Sequence, residues 1–138
     1  MIKDAILLLA MLVLAGCGAP SKPFQAVPPG PGQATIYVFR PSQSYYGSAV
    51  GLDVLCDKTK VGTVNAGGYV WKQVNVGHHL ISSATERSVE IPFDAEDSRS
   101  YYIQADVEPG FWMGRPKLVM VPEEQGKLAI LSTRYFGP

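Results

Sequence analysis

The chain has 138 residues, 46% of them hydrophobic, with 12 basic and 12 acidic residues and a formal net charge of +0. That size holds one domain, and the apolar share is too high for global disorder. The balanced charge supplies no basic face for nucleic acid and no polybasic run for anionic lipid, so neither is an expected partner.

The chain opens with Lys3, followed by an uninterrupted apolar run from Ala5 to Leu14. The run suits the apolar region of a signal peptide and falls short of the about 20 residues that span a bilayer. Leu14-Ala15-Gly16-Cys17 resembles the lipobox of bacterial lipoproteins, in which small residues precede the cysteine at the cut site. That resemblance implies a signal peptide over residues 1–16 and lipid attachment, palmitate included, on Cys17. Several buried acyl chains, at about 0.8 kcal/mol per CH₂, make such an anchor effectively permanent. Gly18 stands where many Gram-negative lipoproteins retained in the inner membrane carry Asp. The expected address is therefore the cell outer membrane, facing the periplasm.

Residues 17–33 hold Pro20, Pro23, Pro28, Pro29 and Pro31 with Gly18, Gly30 and Gly32, and no periodicity. Proline favours extended backbone, so a semi-rigid tether is expected, reaching roughly 50 Å at about 3.1 Å per residue.

Residues 34–138 form the expected folded domain. Alternation with a period of two begins at Thr35, placing Ile36 and Val38 on one face and Tyr37 and Phe39 on the other. Val50, Leu52, Val54 and Cys56 share a face, as do Val70, Val74 and Val76, interrupted by Lys72. Val89, Ile91 and Phe93 repeat the pattern, and so do Tyr101, Ile103, Ala105 and Val107. The segments 117–121 and 127–132 are apolar on both sides, as central or closing strands are. Turn residues fall between these runs, at Asp57-Lys58-Thr59-Lys60, Asn65 to Gly68, Glu86-Arg87 and Pro109-Gly110. Only Pro122 to Gly126 invites a helical turn. The expected fold is all-β, a single β-sandwich of about seven to nine mostly antiparallel strands. A barrel is the competing solution.

Several segments, in order, resemble the lipoproteins grouped as domain-of-unknown-function family 2846. They are Ala34 to Pro41, Gly47 to Val50, Val61-Gly62, Gly68-Tyr69, Val76 to His79, Tyr101-Tyr102 and Gly114 to Leu118. The resemblance covers roughly residues 34–131, and it departs at Val76, where the family commonly has proline. It implies a compact β-sandwich similar to transthyretin-like and PEGA-type domains on a lipid anchor, and it brings no catalytic residues.

Few residues offer chemistry. Cys56 has no cysteine partner once Cys17 is lipidated, and its alternating face reads as core; an intermolecular disulfide or a reactive thiol is the alternative. His78 and His79 are neighbours on a strand and point to opposite faces, with no Cys, Asp or Glu at ligand spacing, so no metal site is expected. No serine sits in a nucleophile elbow, so no catalytic residues and no cofactor are expected. Asp94, Glu96 and Asp97 read as a solvated turn, the spacing not matching a calcium loop. The remaining candidates are aromatic: Tyr45, Tyr46, Phe111 and Trp112 in glycine-containing loops, with Arg115 beside them. Such residues serve as lids over a sandwich end or as a surface for a protein or glycan. The expected function is a non-enzymatic, membrane-anchored interaction module docking an envelope protein, with a carbohydrate or peptidoglycan-fragment binder as the alternative.

Overall fold

The computed structural model describes residues 21–42 and 46–135. Within them, ten strands form two sheets, as expected of an all-β sandwich. The strands are β1 (Lys22–Pro23), β2 (Gln33–Phe39), β3 (Leu52–Cys56), β4 (Thr59–Val64) and β5 (Gly68–Asn75). β6 (Gly77–Ala84), β7 (Ser88–Ala95), β8 (Ser100–Glu108), β9 (Arg115–Val121) and β10 (Arg134–Tyr135) follow. The larger sheet runs β1-β10-β5-β2-β8-β9, and the smaller runs β4-β3-β6-β7. Pairing is antiparallel except between β2 and β8 and between β10 and β5. No helix among the described residues is long and apolar enough to cross a membrane.

The core between the sheets is the alternating set: Ile36, Val38, Leu52, Val54, Cys56, Val70, Val74, Ile81, Ile103, Ala105 and Val107 are all buried. The hairpin joining β3 to β4 needs only two residues. Asp57 and Lys58 both have positive φ (49° and 68°), the backbone a two-residue turn requires to match strand twist. Pro92 sits in β7, an outer strand of the smaller sheet, where a missing donor costs no ladder bond.

The larger sheet is also buried on its outer face, and here two expectations are corrected. Residues 127–132, expected as a strand, are helical: α1 spans Glu123–Ala129 and continues into a 3₁₀ turn at Ile130–Ser132. Gly126, Ala129, Ile130 and Thr133 face the sheet, a helical spacing, while Leu128 and Leu131 are exposed. Gly126 is buried against Tyr102, so close that a Cβ there would lie 2.3 Å from the tyrosine Cβ. Ile130 completes a second cluster with Tyr37, Phe39, Tyr69 and Tyr102.

The second correction concerns the tether. From Ser21 onward it is part of the folded body. Lys22 and Pro23 pair with β10, and Phe24 sets its ring edge-on against Tyr37 (5.4 Å) and Tyr69 (5.2 Å). The Val27 backbone N–H donates to the Tyr37 hydroxyl at 2.7 Å, and the Thr35 hydroxyl donates back to the Val27 carbonyl at 2.9 Å. Gln73 donates to the Pro28 carbonyl, and the Gly32 N–H reaches Asp97. Proline removes donors from this stretch, and side chains projecting from the sheet meet the Gln25 and Val27 N–H groups and the Val27 and Pro28 carbonyls. Burial pushes the Tyr37 phenol up from its ordinary pKa, against the Val27 hydrogen bond.

Candidate functional site

The aromatic candidates converge on one end of the sandwich. β8 and β9 are joined there by a turn from Pro109 to Gly114, beyond the end of the sheet ladder at Glu108 and Arg115. Phe111 is 78% exposed and Trp112 82%, and Met113 beside them is also exposed. They are therefore not lids over the core. Their rings meet edge to face at 4.8 Å. Tyr46 is half exposed, and its ring lies 3.3 Å from where a Gly114 Cβ would sit. Gly114 has φ 84°, a backbone that glycine tolerates and that turns the chain back into β9. Cys17 and Tyr45, named from sequence, lie outside the described residues.

What holds this exposed turn is Glu86, a residue that sequence reasoning passed over as part of a turn. Its two carboxylate oxygens accept the backbone N–H groups of Phe111 and Trp112, each at 2.7 Å. Arg115 Nε approaches the same carboxylate at 3.4 Å. The amides of Trp112 and Phe111, opposed by burial and helped by Met113 and Arg115, hold the Glu86 carboxyl below the usual carboxylate range. Thr85 adds a hydrogen bond to the Gly114 carbonyl at 2.6 Å. The neighbouring 47–50 loop is clamped from within: the fully buried Arg40 guanidinium donates to the carbonyls of Val50 and Gly47. The aromatic surface thus stands on two charged clamps. The Glu86 clamp has no local sequence signal, because Glu86 and Phe111 meet only after β7 and β8 have intervened.

At the other end of the sandwich, the polar residues sort differently from their sequence spacing. Asp94 pairs with His78 at 3.0 Å, Glu96 with Arg99 at 2.9 Å, and Asp97 takes the Gly32 N–H. The acidic turn is thus spent on separate partners. His79, on the opposite face from His78, meets the β3–β4 hairpin. Its Nδ1–H donates to Asp57 Oδ2 at 2.6 Å, and its Nε2–H donates to the Asn75 carbonyl at 2.6 Å. Both ring nitrogens face acceptors, an arrangement that favours the doubly protonated, charged ring. Burial works against that charge, but the bonds to Asp57 and Asn75 outweigh it and raise the imidazole pKa. The same contact with His79, with the Leu80 N–H, holds the Asp57 carboxyl low.

Cys56 is 1% exposed, as its alternating face indicated, with Sγ 3.7 Å from Asp57 Oδ2. Burial, then the Asp57 charge, pushes its thiol up to about 11. A catalytic cysteine needs the reverse, a lowered pKa and a free imidazole nitrogen.

The model of the family described as "Protein of unknown function (DUF2846)" matches residues 31–115, from the turn before β2 through the aromatic turn to the start of β9. A Haemophilus influenzae protein, named as an uncharacterized protein, is 29% identical over 103 residues, covering 74% of this chain and 60% of the relative. The chain thus spans less than two thirds of that relative's length. No solved structure matches. The matched stretch is more than half the chain, and it carries the β2–β8 pairing, both charged clamps and the aromatic turn: the chain belongs to the protein family of unknown function DUF2846.

Proposed function

We propose that the chain is an exported lipoprotein, cut before Cys17 and anchored through it, whose sandwich is a non-enzymatic docking module for a protein of the cell envelope. The anchor rests on the lipobox-like sequence and the apolar run before it. Gly18 favours the outer membrane, with the domain in the periplasm.

The observation that carries the docking reading is the Glu86 clamp. Phe111, Trp112 and Met113 are exposed, yet their backbone is fixed by a carboxylate held in its charged form. A partner that buries such a surface has little loop entropy left to remove, which is how rigid aromatic anchors give affinity. The carbohydrate or peptidoglycan-fragment reading is second; it uses the same Trp112 face with the polar Glu86–Arg115 pair beside it.

The test places a photo-reactive residue at position 111 of the lipidated protein in living cells. A discrete crosslinked protein, lost on Trp112→Ala, is expected. Crosslinking no different from that of a control position at Leu128, together with binding of glycan fragments, overturns docking in favour of the second reading. For the anchor, Cys17→Ser is expected to abolish palmitate labelling. Unchanged labelling refutes it.

A further inference from the structure

We propose that Cys56, Asp57 and His79 form a binding site for a zinc-type divalent metal ion. The three are brought together by the fold. Cys56 ends β3, Asp57 opens the two-residue turn, and β6 runs alongside so that Asp57 N–H donates to the Leu80 carbonyl at 2.8 Å. His79 precedes that residue. Among the described residues this group of His, Cys and acidic side chains brings its ligand atoms, Sγ, Oδ2 and Nδ1, within 4.8 Å of one another.

The other atoms of these side chains are already engaged. His79 Nε2–H is fixed on the Asn75 carbonyl, the backing that metal-bound histidines use to set the ring and aim the second nitrogen. Asp57 Oδ1 is fixed by the Leu80 N–H at 2.9 Å. What remains is one sulfur, one nitrogen and one oxygen facing each other, the mixed donor set that borderline ions such as Zn²⁺ accept. The Nδ1–Oδ2 and Sγ–Oδ2 separations of 2.6 Å and 3.7 Å bracket the roughly 3.5 Å between ligand atoms set about 2.0–2.3 Å from one ion. Small side-chain rotations suffice. Three protein ligands leave a fourth position for water, reached past the half-exposed Asp57.

The charges balance. Without metal, the group holds a neutral thiol, an imidazolium and a carboxylate, net zero. Binding one divalent ion displaces the thiol proton and the Nδ1 proton. It leaves a thiolate, a neutral imidazole, a carboxylate and the ion, again net zero, with two protons released to solvent. The facing charge is Lys72 on β5, whose ammonium acts on both Cys56 and His79. It favours the thiolate and opposes the incoming cation.

The experiment titrates chelator-treated full chain in detergent with Co²⁺, then Zn²⁺. Expected are one ion per chain, a thiolate-to-cobalt charge-transfer band bleached by Zn²⁺, and release of two protons. Affinity should rise with pH, because thiolate and neutral imidazole are the forms that bind a metal. Cys56→Ser should abolish the band, and Lys72→Met should tighten binding. Asp57→Asn, on the exposed side, reads the same site should Cys56→Ser fail to fold, and should weaken binding. No charge-transfer band in the folded wild-type chain, or a band unchanged by Cys56→Ser, overturns the proposal.

Discussion

Gly126→Ala sets two known effects against each other. In an exposed helix interior, replacing glycine by alanine adds about 1 kcal/mol of stability, because glycine loses more backbone entropy on folding. Gly126 is not exposed. Its missing Cβ would stand 2.3 Å from Tyr102 Cβ and 2.4 Å from Tyr102 Cγ, contacts no side chain sustains. Tyr102 cannot swing away, because those atoms lie next to its backbone and its ring is stacked on Tyr37 at 5.1 Å. Either the strand shifts, at the roughly 1–3 kcal/mol of an overpacked core, or α1 lifts and exposes Ile130, worth about 1.5–3 kcal/mol. Both routes meet or outweigh the helix gain. The expected result is a net loss of about 1 kcal/mol, the middle of the range those values leave, read as a lower urea midpoint at unchanged slope. Leu128→Ala, on the exposed face of the same helix, should stay within about 0.5 kcal/mol. A Gly126→Ala protein as stable as wild type, or more so, would refute the docking of α1 on Tyr102.

Two further outcomes follow from contacts described above. The Glu86 carboxyl has a lowered pKa in the folded chain, so its hold on the aromatic turn is complete above the ordinary carboxylate range and is lost as pH falls through the lowered value. In a Trp71→Phe background, Trp112 fluorescence anisotropy should drop below that range, and Glu86→Gln should show the loosened signal at neutral pH; a flat profile contradicts the clamp. Phe24→Ala removes a half-buried ring from between Tyr37 and Tyr69, and should cost about 2–3 kcal/mol, less than the roughly 3–5 of a fully buried phenylalanine. It should also open residues 24–32 to limited proteolysis, whereas an unchanged urea midpoint means the segment contributes nothing to the fold.

The sandwich was legible because its inner face obeys one rule. Ile36, Val38, Val54, Cys56, Val70, Ile103 and Val107 alternate, and burial between the sheets demands it. The outer layer was harder to read, though it left a trace. Tyr37, Phe39, Tyr69 and Tyr102 are too large and apolar for a solvated face, and they foretell a cover. What supplies it was obscured by composition: Phe24 and Val27 sit among prolines, and Gly126 carries no side chain to mark the buried stripe of α1. The aromatic residues of the candidate surface could be named from sequence, since loop aromatics beside glycine stand out. The charged groups that fix them, and the convergence of Cys56, Asp57 and His79, could not. Glu86 with Phe111, and Asp57 with His79, lie more than twenty residues apart and meet through strand order that no local pattern encodes.

The pairing of β1 with β10 ties the first described strand to the last. Lys22 and Pro23 find their ladder partners only in Arg134 and Tyr135, so the sheet edge closes after the whole domain has emerged. During a threaded, N-terminus-first passage across a membrane, Phe24 would have its aromatic seat only in part until Tyr69 and then Ile130 arrive. Three residues separate Cys17 from Ser21, and those four backbone steps reach about 14 Å at full extension. With Cys17 as the anchor proposed above, a domain tied that closely would ride at headgroup height, and whatever it meets would have to come down to the bilayer to be met.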